Sequence, residues 1–154
     1  MKKVSLFASI FMLALASQMA FAQAVVIHDS DKTSGTSVVN SPCTEAVALQ
    51  STFHTMSNGV STPSGGTNLV TRLQFKGQGV GMVSGDKYGV NQEFTQTISI
   101  PDGGLPFTFS SLTKVTINRQ GGGGDYTAHG VFHITVDANG VLTSWIDNLE
   151  QDCK

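Results

Sequence analysis

The stretch that decides the fold is YGVNQEFTQTISI, residues 88–100. Its apolar and aromatic residues all fall at even positions, whereas its odd positions carry glycine, Thr, Ser, Asn and Glu. Successive side chains of a β-strand point to opposite faces of the sheet. The alternation therefore predicts a strand with one face toward a core and the other toward water.

Five other runs repeat this period-two alternation, and Gly- and Pro-rich turns separate them. They cover residues 47–54, 69–76, 107–117, 128–136 and 142–149, of which the last is short and mixed in pattern. Asn139-Gly140, between two of these runs, is the strongest hairpin signal and predicts a type I′ turn with positive φ at both positions. Together the six runs predict an all-β antiparallel meander.

Three alternating glycines, Gly77, Gly79 and Gly81, interrupt the second predicted strand. A nucleotide-binding glycine loop would need a helix after it, and no helical period follows here. The glycines indicate a bend that lets a long strand curl. The alternative is an extra hairpin, which would make seven strands.

Cys43 and Cys153 are the two cysteines of the chain, and we expect them to form a disulfide. Cys43 precedes the first of the six strands and Cys153 follows the last. In a meander, a bridge there brings two antiparallel strands together and requires an even strand count. We therefore expect residues 43–154 to form a closed or nearly closed barrel of about six to eight strands, with a flattened β-sandwich as the alternative.

The N-terminus has the pattern of a secretory signal peptide over residues 1–22. Lys2 and Lys3 precede the apolar run 6–16, which is too short to span a bilayer, and Ala20-Phe21-Ala22 is typical of a cleavage site. This predicts a secreted or periplasmic bacterial protein, with residues 23–42 as a flexible leader. Without the two lysines the net charge is −4, which argues against nucleic-acid partners or an anionic membrane surface.

Two segments carry the patterns GxGxxSGxKY (residues 79–88) and HxxFHxTVxANGxxTxxxDN…C (residues 129–153). In these the chain resembles a group of small secreted bacterial proteins of all-β type. The resemblance implies export, a β fold and the terminal cysteine, and it implies no reaction. The predicted architecture is also similar to calycin-type barrels, which bind small apolar ligands.

Aromatic residues are the candidate ligand-binding set. If a barrel encloses a cavity, we expect five of them to line it: Tyr88, Phe94, Phe109, Phe132 and Trp145. The alternative is that these side chains simply fill the core.

Polar candidates are fewer. His129 and His133 share a strand face but lie roughly 13 Å apart, too far to bind one metal ion unless a residue such as His54 joins one of them. An acidic end, formed by Asp147, Glu150 and Asp152, could supply one half of a carboxylate pair with Glu93 or Asp125. The alternatives are histidines bonded to Thr or backbone groups and a solvated terminal strand.

No sequence motif indicates a metal, a cofactor or a catalytic residue, so an enzyme is the less favoured class. The sequence predicts a secreted barrel that binds a small apolar or amphipathic ligand. An extracellular structural or protein-interaction module and a barrel isomerase or cyclase are the alternatives.

Overall fold

The computed structural model describes residues 24–154, so the predicted signal peptide lies outside the described residues. These residues form one antiparallel sheet of seven strands, hydrogen-bonded in chain order as a meander. The strands are β1 (Val25–Ser41), β2 (Thr44–Ser61), β3 (Thr67–Gly81), β4 (Lys87–Ile100), β5 (Phe107–Arg119), β6 (Tyr126–Val136) and β7 (Leu142–Cys153). Residues 24–154 contain no helix that could cross a membrane.

The first strand corrects the prediction of a flexible leader over residues 23–42. Val25–Ser41 pairs along almost its whole length with β2, from Val25 opposite Ser61 to Ser41 opposite Thr44. The small polar residues suggest a linker. In the structure β1 pairs with the edge of β2 that β3 does not use, and hydroxyl groups of the two strands contact each other. One such pair is Ser37 with Ser51, whose oxygens lie 3.3 Å apart.

The six predicted strands are all present, as β2 to β7, and two of them run further than expected. β2 continues through Asn58-Gly59, which the sequence suggested as a loop, because the pairing with β3 extends to Ser61 opposite Thr67. β3 passes through its three glycines without a break. The glycines therefore do not form an additional hairpin; the seventh strand is β1.

The register places most of the alternating apolar residues on one side of the sheet, the inner face, and most of the polar residues on the other, the outer face. Buried side chains of the inner face gather at the end of the sheet that holds the disulfide, and Ile117 and Val47 are fully buried. The buried residues of this cluster are Val47, Leu49, Phe75, Tyr88, Val90, Ile117, Tyr126 and Ala128. We call this the disulfide end and the opposite end, with the turns at residues 62–66, 101–106 and 137–141, the open end.

Glycine makes this core possible. Gly77, Gly79 and Gly81 are all inner-face positions of β3, so that face of the strand presents only backbone at the disulfide end. The flanking side chains of β2 and β4, among them Leu49 and Val90, belong to one packed cluster. The sheet therefore curls around β3.

The predicted disulfide between Cys43 and Cys153 is present, with the two Cα atoms 5.6 Å apart. It joins the start of β2 to the end of β7, as the meander prediction required. Hydrogen bonding does not close the sheet, however, because among the described strands β1 and β7 each pair with one neighbour. The structure thus supports the all-β meander and leaves barrel closure as a prediction.

The turn between β6 and β7 differs from the predicted type I′ geometry. Only Gly140 has positive φ, at +79°, and no described non-glycine residue does. The amide of Gly140 donates to the carbonyl of Asp137 at 3.0 Å, and the Asp137 carboxylate accepts from the amides of Asn139 and Val141. This side chain stabilises a type I turn followed by a left-handed glycine, which explains why Asn139 needs no positive φ.

Candidate functional site

An apolar band crosses the inner face near the open end. Its members are direct cross-strand neighbours on five successive strands: Leu69, Ile98, Phe109, Ile134 and Trp145. None of the five is buried, and Trp145 is 60% exposed. Large apolar groups that remain in contact with water are typical of binding surfaces.

Three aromatic rings are packed together at this band. The Phe109 and Phe132 ring centroids lie 5.9 Å apart, and those of Phe132 and Trp145 lie 5.2 Å apart, both edge-to-face. Such ring pairs stabilise each other beyond their buried area. The stack therefore orders Trp145, whose ring remains exposed at the edge of the sheet.

The five predicted ligand-binding residues all lie on the inner face, but they do not come together in one site. Phe109, Phe132 and Trp145 form the aromatic stack at the open end. Tyr88 is 3% exposed in the core at the disulfide end, and its hydroxyl donates to Glu45 at 3.3 Å. Phe94 lies between them on β4, opposite Leu73 and Thr113.

A polar row borders the apolar band on the side toward the disulfide end. Its cross-strand neighbours on β3 to β5 are Thr71, Gln96 and Ser111, and the row continues through Phe132 to Asp147. Asp147 is exposed and sits directly opposite Phe132. The open end of the inner face thus presents apolar groups beside hydroxyl, amide and carboxylate groups.

The histidines lie on the outer face and are not brought together. The two ring nitrogens of His133 lie 2.7 Å from the Ser110 hydroxyl and 3.0 Å from that of Thr135. His54, on β2, lies 3.1 Å from the hydroxyl of Ser30 on β1 and is four strands away from His129 on β6. Among residues 24–154, no group of three His, Cys, Asp or Glu side chains could hold a metal ion.

The acidic end of the chain is divided between the two faces. Asp147 lies on the inner face, whereas Glu150 and Asp152 lie on the outer face, opposite His129 and Thr127. Glu93 lies on the outer face of β4 opposite Lys114, and Asp125 accepts a hydrogen bond from the Arg119 amide. These carboxylates therefore surround no common cleft.

Sequence reasoning missed a carboxylate cluster at the disulfide end. Glu45 accepts hydrogen bonds from the hydroxyl and the amide of Ser84, from the amide of Val83 at 2.5 Å and from Tyr88. These bonds, the Ser84 hydroxyl first, lower the pKa of Glu45 to about 2. Because Glu45 and Ser84 are 39 residues apart in the chain, no local pattern announces their contact.

The same turn is held from its other side by an ion pair between Asp86 and Arg119. Residues 82–86 therefore have fixed partners on β2 and β5, and the pKa of Arg119 is raised by its bond to Asp86. The role of this cluster is therefore to anchor the turn at residues 82–86.

A second missed carboxylate ties two turns together at the open end. Asp102 accepts from the hydroxyls of Ser64 and Thr62 and, at 2.8 Å, from the amide of Gly66. These donors, Ser64 first, lower the pKa of Asp102. The turn at residues 62–66 and the turn that follows β4 are thereby joined at the lip of the open end.

No known protein family, curated protein or solved structure matches this chain. The functional interpretation therefore depends on the residues of the site alone. Those residues offer a half-buried, ordered apolar band that ends at the exposed Trp145 and has a polar border.

Proposed function

We propose that this protein is a secreted, non-catalytic binder of a small apolar or amphipathic molecule, held on the inner face at the open end. The observation that carries the proposal is the partly exposed apolar band with its stack of Phe109, Phe132 and Trp145. A ligand there would remove Leu69, Ile98 and the indole of Trp145 from water, at about 25 cal/mol per Å² of apolar area.

The polar border favours an amphipathic ligand over a purely apolar one. Gln96 and Ser111 lie on the same face as Ile98 and Phe109, two residues further along their strands. A ligand with its apolar part on the band could direct hydroxyl or amide groups toward these side chains. A few polar groups beside an apolar surface are the usual way in which binding sites fix a ligand's orientation.

We infer further that β2 to β7 act as an incomplete barrel. The disulfide holds the two ends of this six-strand unit together, and the core curls around the glycines of β3. Such a curl would give the band a concave shape suited to a small ligand.

Export is part of the proposal. A disulfide-bonded cysteine pair is compatible with an oxidising extracellular compartment, and the signal-like sequence of residues 1–22 agrees with it. On this basis we propose that the protein belongs with the small secreted bacterial proteins that its two motifs resemble.

The experiment uses the single tryptophan of the chain as its reporter. The purified, oxidised protein is titrated with laurate and, separately, with 8-anilinonaphthalene-1-sulfonate. We expect the emission of Trp145 to shift to shorter wavelength as the ligand displaces water from the ring. A saturable shift with either probe supports the proposal, and an unchanged spectrum contradicts it.

A matched pair of variants locates the binding. Ile98→Glu introduces a charge into the apolar band, whereas Thr97→Glu places the same charge on the outer face of the same strand. We expect the first to weaken binding at least about tenfold and the second to leave it unchanged. Equal effects would mean that the probes bind elsewhere.

One observation favours the protein-interaction alternative. β7 is an edge strand whose apolar side chains are exposed on both faces, with Ile146 48% and Leu149 59% exposed. Exposed apolar edge strands are common sites of strand pairing between chains. Sedimentation analysis of the wild type and of Leu149→Lys tests this candidate: a complex that the variant abolishes would support it, and a monomeric wild type would count against it.

A further inference from the structure

The outer face carries a second surface that the proposed function does not use. An open depression of about 930 Å³, here called the polar trough, crosses the strands β1 to β5. Its outward side chains are polar without exception: Ser34, Thr36, Gln50, Thr52, Lys76, Gln78, Asn91 and Asn118.

Glycine shapes the trough. Gly89 is an outer-face position of β4 between Gln78 on β3 and Asn118 on β5, so the middle of one row carries no side chain. A β-carbon built at Gly89 would meet no atom within 4 Å, which shows that the space above it is open. The long polar side chains on either side stand as walls around this gap.

The amide groups of the trough have their hydrogen-bonding capacity free. Within the described part of the chain, the side chains of Gln50, Gln78, Asn91 and Asn118 make no hydrogen bond, and all four are exposed. An amide presents donors and an acceptor side by side. Vicinal hydroxyl groups of a sugar offer the complementary pair, since each hydroxyl both donates and accepts.

The residues that line the trough argue against other ligand classes. Its one ionic lining residue is Lys76, whereas a polyanion such as a nucleic acid is bound by several cations. Its lining includes no carboxylate that could hold a metal ion and no aromatic ring that could hold a lipid. The surface therefore fits a neutral, hydroxyl-rich molecule.

The length of the trough favours a chain over a single sugar. Neighbouring strands lie about 4.8 Å apart, so five strands span roughly 19 Å. Gln50 and Gln78 are direct cross-strand neighbours, so their amide groups are spaced at this interval. We propose that the polar trough binds a neutral oligosaccharide in extended form, with Gln50, Gln78, Asn91 and Asn118 as its hydrogen-bonding residues.

The test is isothermal titration of the oxidised protein with cellohexaose, chitohexaose and maltohexaose, one at a time. We expect saturable binding of at least one of them, with a dissociation constant on the order of 1 mM or tighter. No saturable binding of any of the three would overturn the proposal.

Gly89→Trp fills the trough without backbone strain, and Thr97→Trp places the same side chain on the outer face of the same strand, outside the trough. We expect Gly89→Trp to weaken binding at least about tenfold and Thr97→Trp to change it less than about twofold. Gln78→Ala should weaken binding as well, with Gln74→Ala on the same face of β3 as its control. Binding that is insensitive to Gly89→Trp would overturn the assignment.

Saccharide binding at the trough can be tested separately from ligand binding at the apolar band. Trp145 lies on the inner face of β7, outside the trough, so saccharide binding should leave its emission unchanged. Ile98→Glu, which we expect to weaken apolar binding, should leave saccharide binding intact. Loss of saccharide binding in Ile98→Glu would contradict the separation of the two surfaces.

Discussion

Gly79 approaches the backbone of Ala48 so closely that a β-carbon on residue 79 would lie 1.8 Å from the Ala48 carbonyl oxygen. No side chain fits at that distance without moving the backbone of β2. The curl of the sheet around β3 therefore depends on the absence of one carbon atom at this position.

We expect Gly79→Ala to destabilise the fold by about 1–3 kcal/mol or more, because β2 and β3 must separate locally. Gly77→Ala is the matched control, since its β-carbon would meet its neighbours at 3.3–3.4 Å, a distance that small shifts relieve. Urea unfolding followed by circular dichroism measures both. Equal midpoints for the two variants would contradict the close approach.

The disulfide should be a major source of stability. Cys43 and Cys153 are separated by 110 positions, and closing so long a loop is worth about 4–5 kcal/mol on the chain-entropy account. We expect a matching loss in the free energy of unfolding of the Cys43→Ser/Cys153→Ser variant. Intact-mass analysis after alkylation without reductant should find no reactive thiol in the wild type; two alkylated cysteines would show that the bridge does not form.

Acid should weaken the disulfide end through Glu45. Its pKa is about 2 in the folded protein against an ordinary value of 4.5, so its carboxylate stabilises the fold fully above pH 4.5. That contribution is lost as the pH falls from 4.5 toward 2. The lowered pKa values of Asp102 and Asp137 act in the same direction.

Glu45→Gln should therefore be less stable than the wild type at pH 7 and should lose less stability on acidification to pH 3. Glu150→Gln, at an exposed position of β7, is the control and should follow the wild type at both pH values. Thermal unfolding at the two pH values provides the comparison. If Glu45→Gln lost as much on acidification as the wild type, the carboxylate would not be the anchor of the 82–86 turn.

Substitutions in the β6–β7 turn distinguish a type I turn followed by a left-handed glycine from a type I′ turn. Gly140→Val should destabilise by about 1–3 kcal/mol, because a β-branched residue is strained at a φ of +79°. Gly89→Val, at an extended position with open space, should not destabilise. Asn139→Ala should cost less than Gly140→Val, since Asn139 has no positive φ; in a type I′ turn both substitutions would be costly.

The sequence predicts the inner face of the sheet well because period-two alternation depends only on which residues are buried. Residues 88–100 show this most clearly, and all their even positions lie on the inner face. The alternation cannot reveal β1, because most of its residues are exposed on both faces and its strand form comes from pairing with β2. It also cannot reveal the contact of Glu45 with Ser84, which arises only when distant strands adopt their register.

For the same reason, the sequence indicates on which face the candidate residues lie but not which of them come together. Parity places Phe109 and Phe132 on one face, but it does not say how far along the strands two aromatic residues stand from each other. Tyr88 and Trp145 share the inner face and lie at opposite ends of it. The distinction between core and open surface thus follows from the curl of the sheet and not from the pattern of any single strand.

The position of Cys43 between β1 and β2 has a topological consequence. The disulfide closes β2 to β7 into a covalent ring. β1 lies outside that ring and is joined to it by one peptide connection and by its hydrogen bonds to β2. A single proteolytic cut between Asn40 and Cys43 would break the covalent link between β1 and the ring, leave the ring intact and leave β1 held by hydrogen bonds alone. Loss of β1 would expose the hydrogen-bonding edge of β2, so the integrity of this edge depends on the peptide segment that precedes the ring.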